Sequence, residues 1–176
     1  MMNVSITGSR RWEFVVTEIS PVEVTIHIPA EPEDVFPYFT DAARYVQWMG
    51  SEAKLEPVPG GVYRINMPDG FAAAGEFLEV TQPHRVVFSW GFADDEAAKR
   101  TKHKPGETAS RNAMPPGSTL VTVTLQDEDG GSRLTLRHEN LPNLDLREGH
   151  IVAWNTYLPR LAVRAAGGDP GADPHS

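Results

Sequence analysis

Six histidines, four tyrosines and no cysteine define the chemistry this chain can attempt. Without thiols there is no cysteine nucleophile, no thiolate-bound zinc, no iron–sulfur cluster and no disulfide framework. Imidazole is then the most versatile group, because its charge changes near neutral pH. His138 is the foremost candidate. It alternates with Leu134 and Leu136, so it shares their inward face and could orient a ligand or act as an acid or base. The same placement suits a buried histidine held by a carbonyl, which is the stronger reading. His150 stands one helical turn before Trp154 and could reach a cavity rim, or simply be solvated near a helix start. Tyr157 is the third polar candidate, since acid–base chemistry would need it or His150 to converge with His138. His27 alternates with apolar residues and is expected to point outward. No paired-histidine zinc spacing, glycine-rich phosphate loop or nucleophile elbow is present. The run Asp127 to Gly130 resembles a calcium loop but lacks the distal glutamate, so it reads as a hairpin tip. No metal and no cofactor are expected.

The whole chain narrows the partners. Sixteen basic residues against 24 acidic ones give a net charge of −8, which argues against duplex nucleic acid. No run approaches the roughly 18 apolar residues of a membrane span. Arg10-Arg11 is not followed by an apolar stretch, because Glu13, Glu18 and Glu23 interrupt it, so a cytoplasmic location is expected.

The elements that must position these groups read mostly as strands. Val22 to Ile28 alternates apolar with polar, and Pro29 ends it. Pro32 fits a helix first turn with Glu31, Glu33 and Asp34 at its positive end, and Pro37 keeps that helix short. A second short helix is expected near Thr40-Asp41, carrying Tyr45 and Trp48. Strands then follow over Val62 to Met67, Phe71 to Val80, Arg85 to Phe92, Leu120 to Leu125 and around Leu134 to His138. Pro59-Gly60-Gly61, Pro68-Asp69-Gly70 and Asp127 to Gly131 supply turns. Tight turns between short strands argue for an antiparallel meander. From Leu146 to Ala166, the residues Ile151, Trp154, Leu158, Leu161 and Ala165 recur at three- and four-residue spacing, which makes a long amphipathic helix. Pro159 should bend the backbone or free the carbonyl of Asn155. The expected organisation is an N-terminal extension over 1–20 with a possible extra strand, a domain over 21–168 and a disordered tail over 169–176. Residues 94–117 read as a long basic loop, solvated, with contact to an acidic partner or second subunit as the sharper alternative.

Strand, two short helices, meander and long final helix make a helix-grip arrangement of the α+β class, in which a curved antiparallel sheet wraps the last helix. The blocks Pro29 to Phe36, Phe39-Thr40-Asp41, Trp48, Pro59-Gly60-Gly61, Gly75 to Val80, Pro83 to Trp90, Leu134 to His138, Leu141-Pro142 and Trp154 to Leu161 occur in an order that resembles the SRPBCC (START-like) superfamily. The resemblance is to its branch named for the Hsp-90 ATPase activator homologues, and it covers about Val22 to Gly168. The long loop, the extension and Pro159 depart from that pattern.

The resemblance implies an apolar cavity, open at one end, between sheet and C-terminal helix. Tyr63, Ile65 and Met67 share one strand face, Phe88 and Trp90 another, and Trp154 and Leu158 descend from the helix; Trp48 would close the mouth. His138, His150 and Tyr157 are the expected polar contacts. Aromatic and Met residues at these spacings equally suit a filled core. The leading functional expectation is binding of an apolar or aromatic small molecule. A chaperone-interacting accessory role, with an ATPase chaperone as partner, and a polyketide cyclase/dehydratase-like activity are the alternatives that the resemblance brings. A homodimer is a further possibility.

Overall fold

The computed structural model describes residues 18–93 and 112–176. The elements are β1 (Val22–Ile28), three one-turn helices α1 (Pro32–Val35), α2 (Pro37–Thr40) and α3 (Ala42–Tyr45), then β2 (Glu52–Leu55), β3 (Val62–Asn66), β4 (Ala72–Thr81), β5 (Arg85–Trp90), β6 (Thr119–Glu128), β7 (Gly131–Glu139) and α4 (Leu144–Ala165). The strands form one curved, seven-stranded antiparallel sheet in the order β1-β7-β6-β5-β4-β3-β2. Consecutive strands from β2 onward pair with one another, and β1 closes the far edge by pairing with β7, Val22 opposite His138. The class is α+β.

Local chemistry explains the element ends. Pro37 sits at the first position of α2, where its missing N–H costs nothing, and it divides the expected first helix in two. The Asp41 side chain accepts from Arg44 N at 3.1 Å and caps α3. Asn143 does the same for α4, accepting from Leu146 N at 2.8 Å, so the helix starts two residues before the apolar periodicity begins. Pro159 lies inside α4 on its exposed side without ending it. Strand β2 was not expected. Its sequence Glu-Ala-Lys-Leu has no β-branched residue, and only pairing with β3 makes it a strand.

Helix α4 lies against the sheet with Leu146, His150, Trp154, Tyr157, Leu158 and Leu161 buried. Around Tyr63 the interior is filled by rings. Tyr63 stacks on Phe88 at 4.1 Å between centroids and meets Phe77 edge-on at 5.8 Å. Trp48 packs against Tyr45 at 4.9 Å and Phe39 at 5.5 Å. The Tyr45 and Tyr63 hydroxyls share a hydrogen bond of 2.7 Å, and burial raises both phenols well above their usual range.

At the periphery, the C-terminal segment differs from its expectation. Residues 169–176, expected as a disordered tail, fold back onto the domain. The Arg160 guanidinium donates to the carbonyls of Pro170, Gly171 and Ala172 at 2.9–3.0 Å, and its Nε donates to Trp48 O at 3.0 Å. Sequence periodicity says nothing of a segment held by one arginine. Of the basic loop, residues 94–111 lie outside the described residues, as do residues 1–17 of the expected extension. Of the loop's described residues, Asn112, Ala113 and Pro115 to Gly117 are exposed, while Met114 is fully buried and its carbonyl accepts from Phe92 N at 2.8 Å.

Candidate functional site

At the end of the sheet away from the packed rings, α4 and the strands stand apart and enclose a cavity of about 380 Å³. Small residues contribute to it: Ala72 and Ala73 at the start of β4 and Gly149 and Ala153 on successive turns of α4 are among its lining, and a side-chain carbon added at Gly149 would meet nothing within 4 Å. The remaining walls are Met49, Met67, Phe71, Trp90, Phe92, Leu146 and Trp154, with Tyr157 and His150 from the helix. Asp69, Asp145 and His175 stand at the rim; no Lys or Arg is among the described lining residues. Concave, mostly apolar sites of roughly 300–1,000 Å³ with a few polar groups are the usual form of small-molecule sites.

Of the residues expected to line a cavity, Met67, Trp90, Trp154, His150 and Tyr157 do so. Trp48, Tyr63, Ile65, Phe88, Leu158 and His138 lie instead in the filled core. The reason is geometric. Their strand or helix faces are the ones expected, but they sit further along those elements, where the aromatic rings meet and exclude any gap. Trp48 does not close a mouth; it is fully buried, with its indole N–H donating to Tyr38 O at 3.1 Å. Sequence reasoning missed the small residues of the lining. The run Ala72-Ala73-Ala74-Gly75 and the four-residue spacing of Gly149 and Ala153 were the available signal.

His138 is the centre of a closed hydrogen-bond chain. The Trp154 indole donates to His138 Nδ1 at 3.2 Å, so that nitrogen carries no proton. The proton is then on Nε2, which donates to Thr119 Oγ1 at 2.8 Å, and Thr119 in turn donates to Trp90 O at 2.8 Å. Every group in the chain is satisfied. Burial, and after it the neighbouring His150, hold the His138 imidazole well below its usual 6.5. A neutral ring with both nitrogens engaged positions Trp154 and has no site left for proton transfer.

His150 differs. Its Nδ1 donates to Leu146 O at 2.7 Å, one turn back along α4. Its Nε2 therefore carries a lone pair, and this nitrogen has no partner among the described residues. Burial lowers the pKa of this ring too, with the Leu146 carbonyl partly opposing it. Trp90 stands perpendicular to His150, centroids 4.9 Å apart, and its buried indole N–H also lacks a hydrogen-bond partner among the described residues.

The depressed histidines give a pH dependence with a definite sign. Below about pH 6.5 the unfolded chain's imidazoles take up protons while these two folded ones remain neutral, so the unfolded state binds more protons. Their stabilising contribution is complete above pH 6.5 and is lost as the pH falls towards the lower folded values. Unfolding free energies from urea titration should be level between about pH 7 and 8 and fall between about 6.5 and 5, by up to roughly 1.4 kcal/mol per pH unit for each ring, with the midpoints falling in step. Midpoints that stay level down to about pH 5 would show that these rings are not buried neutral.

The folded-back segment borders the same cavity. Asp173 accepts from Tyr157 Oη at 2.8 Å, from Gly50 N at 3.0 Å and from His175 N at 2.9 Å. The His175 ring stacks on Tyr157 at 6.0 Å and 8°, and its Nδ1 meets Asp69 Oδ2 at 2.9 Å. Tyr157 is thus a wall whose hydroxyl is already committed, and its pKa is raised by burial and then by the Asp173 bond.

Among the described residues no helix is long and apolar enough to cross a membrane, and no three His, Asp or Glu side chains are grouped to hold a metal. Comparison with known proteins places these features. The family model described as Activator of Hsp90 ATPase homolog 1-like protein matches residues 29–166. The solution structure of an AHSA1-like protein from Rhizobium etli is similar at 36% identity over 89% of this chain and 91% of that one, with a TM-score of 0.62. A putative protein of the dynemicin biosynthetic locus shares the fold at 21% identity and TM-score 0.68; the match covers 86% of this chain but only 49% of that one, so this chain spans about half its length. The Aha1 dimer from Colwellia psychrerythraea shares the fold at 16% identity over 85% of this chain and 98% of that one, with a TM-score of 0.64. No curated protein matches.

Proposed function

The chain belongs to the Activator of Hsp90 ATPase homolog 1-like family within the SRPBCC superfamily, and from that premise we propose that it binds a flat, apolar small molecule in the cavity between α4 and the ends of β4 and β5. One observation carries the reading: a cavity of about 380 Å³ is lined mostly by Met, Phe, Trp, Leu, Ala and Gly, with few polar groups among them. An apolar guest there would regain the contacts that the walls lack, at roughly 25 cal/mol for each Å² of apolar surface removed from water. A fold neighbour from a biosynthetic locus is in keeping with a small-molecule role.

The alternatives draw on less. A cyclase-like reaction would need an acid–base pair, and His138 has no free nitrogen to offer. A chaperone partner rests on the family's name alone, and self-association on a distant neighbour solved as a dimer.

Titration with 2-methoxynaphthalene, followed by tryptophan fluorescence, tests the proposal. The wild type should bind saturably. Ala153→Trp, which fills the gap from a half-exposed helix position, should weaken binding at least about tenfold while leaving the unfolding midpoint within about 3 °C of wild type. Equal affinity in the two proteins, or none in the wild type, would remove the proposal.

A further inference from the structure

We infer that the ligand carries a hydroxyl group, phenolic or alcoholic, whose proton is donated to His150 Nε2; this deepens the proposal above and rests on it. His150 has one nitrogen fixed by a donor bond to Leu146 O at 2.7 Å, which leaves the other as an acceptor only. That acceptor belongs to a buried ring of the cavity wall and meets no described donor. Among the described residues the only buried side-chain nitrogen or oxygen without a partner is Trp90 Nε1, so His150 Nε2 is open to the cavity, and a guest that displaces water from it must bring a donor of its own or leave the acceptor unpaired. The other described polar groups of the lining are less available. Tyr157 Oη is committed to Asp173, His175 is engaged with Asp69, and both carboxylates stand at the rim. The walls around His150 are Trp90, Phe92, Leu146 and Trp154, so the hydroxyl must be attached to an apolar body. An ether or a ketone of the same shape brings His150 Nε2 no proton.

Two probes of nearly equal size separate these cases: 2-naphthol, which donates, and 2-methoxynaphthalene, which only accepts. Isothermal titration at pH 8, where His150 is neutral, should give about tenfold tighter binding of 2-naphthol, the worth of one buried hydrogen bond. In His150→Phe the preference for 2-naphthol should disappear, the two probes binding with equal affinity whatever that affinity is, and a cooperative thermal transition shows that the variant is folded. Equal binding of both probes to the wild type, or a 2-naphthol preference that survives in His150→Phe, overturns the inference while leaving the binding proposal in place. Failure of both probes to bind the wild type removes the binding proposal itself.

Discussion

Trp154→Ala is expected to destabilise the chain by about 3–5 kcal/mol, the usual range for deleting a buried aromatic ring. Two effects combine at this position. The ring is 2% exposed, so its removal enlarges an existing cavity rather than letting the walls collapse. Its indole N–H is also the donor to His138 Nδ1, so truncation leaves a buried acceptor without a partner. In thermal unfolding the midpoint should fall on the order of 10 °C for a chain of this length. Trp154→Phe separates the contributions: it keeps most of the ring volume but strands His138, and should cost about 1–3 kcal/mol. If the two variants lose the same amount, the hydrogen-bond chain from Trp154 through His138 and Thr119 does not hold the helix to the sheet.

Arg160→Ala should release the segment from 169 to 176. The guanidinium satisfies three carbonyls of that segment and Trp48 O as well, a geometry that only a planar fork of donors can meet. Once it is lost, the entropy of ordering eight residues is opposed mainly by Asp173 and His175. Hydrogen exchange at the amides of Gly50 and His175, both bonded to Asp173, should quicken by at least about tenfold, and global stability should drop by about 2 kcal/mol. Arg160→Lys should behave nearly as badly, because an ammonium cannot span the four acceptors. Since His175 forms part of the cavity rim, dissociation of a bound guest should quicken in both variants. Unchanged exchange at Gly50 and His175 would mean that the arginine does not hold the segment down.

The elements legible in the sequence were those whose burial repeats at a fixed period. Alternation along Val22 to Ile28 and Leu134 to His138, and the stripe from Ile151 to Ala165, each marked a buried face, and these faces assembled as expected. Strand β2 escaped because Glu-Ala-Lys-Leu owes its extended form to β3 and not to its own side chains. The site was half legible. Periodicity identifies which face of an element turns inward, so Met67, Trp90, His150 and Trp154 were found. It does not say where along that face two elements cease to touch. That depends on where small residues such as Ala72, Ala73, Gly149 and Ala153 fall along the two elements relative to one another, which is visible only in three dimensions. Tyr63, Ile65 and Phe88 were placed in the cavity for the same reason: they face inward, but opposite large rings. The role of Asp173 was hidden more deeply. A proline- and glycine-rich stretch carries no period, and its order comes from single polar contacts made far along the chain.

The central claim is that a guest enters beside Trp90 and Trp154 and leaves the ring-filled core around Trp48 untouched. Carrying out the 2-methoxynaphthalene titration by two-dimensional ¹H–¹⁵N NMR reads this directly, since each indole N–H gives its own resonance. The Trp90 and Trp154 indole signals should shift saturably with added guest, while that of Trp48, fixed to Tyr38 O, stays in place. Movement of the Trp48 signal with Trp90 and Trp154 unaffected, or no movement in any of the three, would contradict the account.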